Sequence, residues 1–167
     1  MLSSALLALL AVVVGLLWWR GRREHAQQIA AWGALARALS LGFDPGSRSI
    51  RGRYRLLRLE ITARRVLLGL GPWRTEILAE YEGVIPAGLT LVVDARGLRS
   101  SAGEPHALAP WLEAHGRRGL LPELLAGGVQ VSGHTVRVET PGLLADPEAL
   151  RARLGRLADL AKLLSLR

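Results

Sequence analysis

The side chains that could perform acid, base or nucleophilic chemistry are scattered along this chain. The four histidines, His25, His106, His115 and His134, show no His-Glu-x-x-His spacing, and cysteine is absent, so the usual ligand pattern of zinc is missing. Ser132-Gly133-His134 lacks the Gly-x-Ser-x-Gly elbow of a hydrolase. We therefore predict a protein that is not an enzyme, with no catalytic residue, no metal site and no cofactor.

The alternative is a membrane-bound enzyme of unrecognised type that works from residues 94–115. Glu104, His106 and His115 lie in this region, where the two histidines could meet an acidic neighbour in space. Gly69-Leu70-Gly71-Pro72 does not add a phosphate loop, because the Lys-Ser/Thr pair and a following helix signal are missing.

The charged side chains are dominated by arginine, with 21 arginines against one lysine. Coding bias explains part of this number, but not its distribution. Residues 20–65 hold 11 arginines and three acidic residues, so the whole net charge of +8 resides there. Arg51, Arg53, Arg55 and Arg58 form its centre, and they predict a surface that contacts anionic lipid or an acidic partner. A solvated strand face is the alternative interpretation.

Nucleic-acid binding is the other function that such a charge suggests. Binding of single strands would add exposed aromatic side chains for stacking, yet only Tyr54 interrupts the arginine cluster. A membrane segment also argues against general nucleic-acid binding, so we predict no nucleic-acid partner.

An uncharged apolar segment precedes the arginines. Residues 2–19 would form ~27 Å of helix, against a hydrocarbon core of ~30 Å. We predict a transmembrane anchor at residues 1–19. The residues expected at the membrane interface are Trp18, Trp19, Arg20, Arg22 and Arg23. A cleaved secretory signal is the alternative, but the basic n-region and the small-x-small cleavage site are missing.

The flanking charges also predict an orientation. Positive charge follows the anchor and does not precede it, so we expect the N-terminus outside and the domain in the cytoplasm of a bacterium, at the inner membrane. Residues 20–42 are interpreted as a basic flank with an amphipathic helix over residues 24–41, and residues 43–167 as one globular domain.

Period-two patterns in the domain predict an antiparallel sheet. Strands are expected at 49–54, 57–61 with a possible extension over 66–70, 73–81 and 89–94, and short connections favour a meander. Two short helices are expected at 108–115 and 120–126, and a hairpin at 129–139. Asp146-Pro147-Glu148 then opens a final amphipathic helix, whose arginines, including Arg153, are expected to be exposed. The predicted fold is α+β, with helices covering one face of the sheet.

Two short motifs of the domain are Ile50-Arg51-Gly52-Arg53-Tyr54 and Ile85-Pro86-Ala87-Gly88-Leu89. They resemble motifs of uncharacterised myxobacterial-type membrane-anchored proteins. Ser101-Ala102-Gly103-Glu104-Pro105 stands where that family commonly has Thr-Gly-Asp-x-x-Phe-Asp. The resemblance implies an α+β domain beside a membrane, with no assigned chemistry. Together with the charge pattern, it predicts a non-enzymatic adaptor or interaction domain that meets anionic lipid and an unknown protein partner.

Overall fold

The computed structural model describes residues 12, 15, 19, 23, 26–27, 29–65, 72–103, 105–142, 144 and 146–166. The predicted anchor lies almost entirely outside this set, together with Trp18, Arg20, Arg22 and the possible strand extension over 66–70. Trp19 and Arg23 are described as exposed helical residues, and the Arg23 guanidinium carbon lies 5.5 Å from the Trp19 ring centroid. Within the part of the chain that is described, no helix combines the length and hydropathy needed to cross a bilayer.

The domain is an α+β fold built on one antiparallel sheet of eight strands. The strands are β1 (Gly42–Asp44), β2 (Ser49–Tyr54), β3 (Leu57–Arg65), β4 (Trp73–Glu80), β5 (Thr90–Asp94), β6 (Gly97–Ser101), β7 (Val129–Ser132) and β8 (Thr135–Pro141). The helices are α1 (residues 29–38), α2 (Pro105–Glu113), α3 (Arg117–Leu124) and α4 (Pro147–Ser165), with a 3-10 turn at Ala114–Gly116.

Strand order in the sheet is β1-β2-β3-β4-β8-β7-β5-β6. The β2–β3–β4 part is the expected meander, but the expectation that β5 continues it beside β4 is wrong. The β7–β8 hairpin lies between them, with Ile77 opposite Val138 and Leu91 opposite Val131. Both hairpin strands bury valines, so their insertion continues the apolar face across the middle of the sheet.

One face of the sheet carries the core, as expected. Trp32, Leu35 and Ala36 of α1 are buried, and so is the α4 stripe that includes Leu150, Leu154 and Leu164. Asp146 caps α4 by accepting a hydrogen bond from the Glu148 backbone N–H at 2.9 Å. The prediction for Arg153 is wrong: this side chain is half-buried and donates to the Thr140 hydroxyl, because α4 lies close to the end of β8.

Candidate functional site: a basic tip and its groove

The β2–β3 hairpin places the predicted arginines. Strand alternation turns Ile50 toward the core and Arg51 and Arg53 toward the open face of the sheet. Arg53 lies opposite Arg58 of β3, and Arg51 lies opposite Glu60. The structure therefore brings three of the four predicted arginines together on one surface, and Arg55 follows them in the turn.

The turn itself has an unusual conformation. Arg55 has a φ of 53°, in the left-handed region, and its guanidinium carbon lies 5.6 Å from the Tyr54 ring centroid. Leu56 is 67% exposed, which is the largest exposure among the large hydrophobic side chains that the structure describes. An apolar side chain thus projects from the hairpin with arginines on both sides.

Arg51 differs from the neighbouring arginines because it forms an ion pair. Its Nε and Nη2 atoms donate to Glu60 Oε1 at 2.9 and 2.5 Å, so its charge already has a carboxylate partner. Arg53, Arg55 and Arg58 are exposed and form no ion pair with any residue of the described ranges. We call Arg53, Arg55, Leu56 and Arg58 the basic tip.

A groove runs along the tip and onto the open face of the sheet. Two adjoining cavities of about 970 and 760 Å³ share Arg53, Arg58, Glu80 and Thr135 in their walls. The walls differ in charge, since the arginines lie on β2 and β3 whereas Glu80 and Glu82 lie at the end of β4. The β2–β3 wall holds Arg51, Arg53, Arg55 and Arg58 against the single acidic residue Glu60, so a ligand along this wall would meet a net positive charge.

The polar groups at the far end of the groove are engaged in structural hydrogen bonds. The Tyr81 hydroxyl donates to the Gly133 carbonyl at 2.9 Å, and burial raises the pKa of Tyr81 above its ordinary range. The Ser165 hydroxyl lies 2.6 Å from the carbonyl oxygens of both Glu82 and Ala161. These contacts join α4 to the sheet and align neither hydroxyl with a general base.

The rest of the open face is a network of paired charges. Arg137 contacts Glu76 at 2.7 Å and Glu139 at 2.6 Å, while Arg64 and Arg74 contact Glu139 at 3.4 and 3.3 Å. Arg64 therefore fits the alternative interpretation, a solvated strand face, better than it fits a surface that contacts a ligand. Arg64, Arg74 and Arg137 thus share acidic partners, whereas the arginines of the basic tip have no ion pair among the described residues.

The region of the alternative enzyme site is arranged differently. His106 is exposed near the start of α2, and His115 is exposed in the 3-10 turn beyond its end, so ~10 Å of helix separates them. Glu104 lies outside the described residues. Across the described part of the chain, no three His, Cys, Asp or Glu side chains are grouped as metal ligands.

Sequence reasoning missed one buried cation, Arg117. This residue is 2% exposed and donates to the backbone carbonyls of Leu163, Trp111 and Leu166 at 3.2, 2.9 and 2.5 Å. Its guanidinium carbon lies 4.4 Å from the Trp111 ring centroid, and burial lowers its pKa. Arg117 thus serves as a cap for the C-terminal end of α4.

Comparisons with known proteins return no matching family model, no matching curated protein and no matching solved structure. The resemblance to myxobacterial-type membrane proteins stays a prediction.

Proposed function

We propose that this chain is a single-pass, membrane-anchored, non-enzymatic interaction domain whose basic tip contacts the anionic headgroups of the membrane that holds it. The supporting observation is the convergence, around an exposed leucine at one hairpin turn, of three arginines that form no ion pair with the residues that the structure describes. An apolar side chain flanked by cations suits the interface of an anionic bilayer, where the leucine enters the acyl boundary and the arginines remain at the phosphates.

The energies are sufficient for a tethered domain. Each arginine near an anionic surface contributes ~1 kcal/mol, and burial of the Leu56 side chain adds ~1.5–3 kcal/mol. Such a free energy is modest for a free protein, but a covalent anchor raises the effective concentration of the membrane to the millimolar range or above. The predicted anchor ends at Trp19 and α1 is continuous from residue 29, so only about ten residues separate them.

The location that we propose is the cytoplasmic side of the inner membrane. With the positive flank on the cytoplasmic side, the domain lies in the cytoplasm, beside the anionic lipids of the inner membrane. There the domain would present its groove, and the paired charges beside it, to a protein partner.

The absence of cysteine allows a direct test. The Leu56→Cys variant of the full chain, labelled with an environment-sensitive fluorophore, is reconstituted in nanodiscs of neutral phosphatidylcholine or of phosphatidylcholine with phosphatidylglycerol. We expect a blue shift with the anionic lipid only. Reversal of Arg53, Arg55 and Arg58 to Glu should abolish the shift.

A charge-matched control decides whether the effect is local. It reverses three exposed cations outside the tip, Arg96, Arg118 and Lys162, and should retain the shift. Equal loss in both triple variants would show that net charge alone acts, which would contradict a binding tip. If the fluorophore showed no blue shift with anionic lipid but did show one with an acidic peptide, the ligand of the basic tip would be a protein and not a lipid.

A further inference from the structure

A second cation pair lies on α4, away from the basic tip. Arg153 and Arg156 are one helical turn apart and share a cavity of about 150 Å³ with the end of α3 and with strands β7 and β8. The apolar wall of this cavity includes Leu124, Val129, Val138 and Leu157. The cavity is thus apolar on one side and cationic on the other.

The two guanidinium groups have no carboxylate partner among the residues that the structure describes. Arg153 is half-buried and donates to the Thr140 hydroxyl, while Arg156 is exposed. The pKa of Arg153 is lowered, first by burial and then by the charge of Arg156. The pair therefore repels itself at the edge of an apolar cavity, a situation that a bound anion would relieve.

We propose that this cavity binds a small carboxylate that carries a short aliphatic or aromatic tail. The guanidinium groups would hold the carboxylate through charge-assisted hydrogen bonds, and the leucine and valine side chains would cover the tail. A cavity of about 150 Å³ with such a lining holds a molecule the size of benzene, so the tail can have up to about six carbon atoms.

This site is independent of the proposed membrane contact. Nine residues of α4, or ~13 Å of helix, separate Arg156 from Ser165 in the wall of the groove beside the basic tip. Reversal of the basic tip should leave carboxylate binding unchanged, and loss of carboxylate binding should leave the lipid contact unchanged.

The test uses the full chain in dodecyl maltoside micelles and follows the ¹⁹F signal of 4,4,4-trifluorobutyrate, with empty micelles as the blank. We expect line broadening that unlabelled butyrate reverses and that trifluorobutanol, the uncharged analogue, does not show. Arg156→Gln should weaken binding about tenfold or more, because one charge-assisted hydrogen bond is lost. Lys162→Gln removes the same charge from the same helix outside the cavity and should bind as the natural chain does.

Arg156 is exposed, so its replacement should not disturb folding, and Arg153→Gln adds a second variant at the half-buried member of the pair. Equal broadening in natural chain and Arg156→Gln would overturn the proposal. So would equal binding of the alcohol, since the cavity would then select apolar groups without regard to charge. Displacement of the probe by an equal concentration of inorganic phosphate would also overturn the proposal, because the site would then bind anions without regard to an apolar tail.

Discussion

At the scale of single residues, free and engaged arginines differ in what surrounds them. Arg117 has all its contacts inside the protein, where three carbonyl oxygens and an indole ring replace water. Arg53 and Arg58 face each other across a strand pair without a carboxylate in ion-pair range among the described residues. Like charges directly opposite each other are unfavourable for a sheet, and Glu80 lies opposite Arg58 on the β4 side, outside ion-pair range, so both arginines remain available to an external anion.

Replacement of Arg117 by Met should lower the free energy of unfolding by about 3 kcal/mol, because polar groups at the end of α4 lose charged donors. Arg118→Gln is the control, since its ion pair with Glu113 joins two side chains more than 60% exposed and should contribute less than ~1 kcal/mol. Urea unfolding followed by circular dichroism measures both. If Arg117→Met lowered the free energy of unfolding no more than the control does, Arg117 would not stabilise the end of α4 as a cap.

At the scale of elements, the loop after β4 approaches the end of α4 closely at Gly83. A Cβ atom on Gly83 would lie 2.8 Å from the Ser165 Cα atom, so the loop after β4 can approach α4 only with glycine there. Elsewhere on the same helix there is room, since a Cβ on Gly155 meets nothing within 4 Å.

These two glycines provide opposite predictions for the same substitution. Gly83→Ala should destabilise the domain by ~1–3 kcal/mol through the clash with the α4 backbone, whereas Gly155→Ala should stabilise it by ~0.5–1 kcal/mol through helix propensity. Midpoints of urea unfolding for the two variants test both signs. A neutral Gly83→Ala would mean that the contact between the loop and α4 relaxes freely.

The elements that sequence reasoning recovered are those with a strong local signal. Strand β2, the short connection between β2 and β3, the β7–β8 hairpin and the cap at Asp146 follow from alternation and turn chemistry. Strands β1 and β6 were missed: Gly42–Asp44 is only three residues long, and Gly97–Ser101 has Leu98 as its one large apolar residue. Partners across the sheet stabilise these strands, and a local window does not contain those partners.

The same distinction applies to the candidate site. Alternation along β2 predicts that Arg51 and Arg53 share one face. The position of Arg58 opposite Arg53 and the ion pair of Arg51 with Glu60 could not be read from spacing, because both depend on the register of β2 with β3. The cavity beside Arg156 was invisible for a further reason, since it exists only where α3, α4 and two strands meet.

At the scale of the whole molecule, the proposed orientation can be tested with a cysteine placed outside the basic tip, at the exposed position Leu120 of α3. A membrane-impermeant maleimide should label Leu120→Cys in inverted vesicles but not in spheroplasts, because the proposal puts the domain in the cytoplasm. Ser3→Cys, on the other side of the predicted anchor, should give the opposite pattern. Labelling of residue 120 in spheroplasts would reverse the proposed orientation and direct the search toward acidic polymers of the cell envelope.

Because the β7–β8 hairpin lies between β4 and β5, β4 can complete its pairing only after β8 has been synthesised. Translation at ~5–20 residues per second needs ~3–12 s to pass from the end of β4 to the end of β8. During that interval β4 has an unpaired edge, which is open to association with other nascent chains. A stop codon or a protease cut before Val129 would therefore disrupt the whole sheet, because it would remove the segment that joins its two halves.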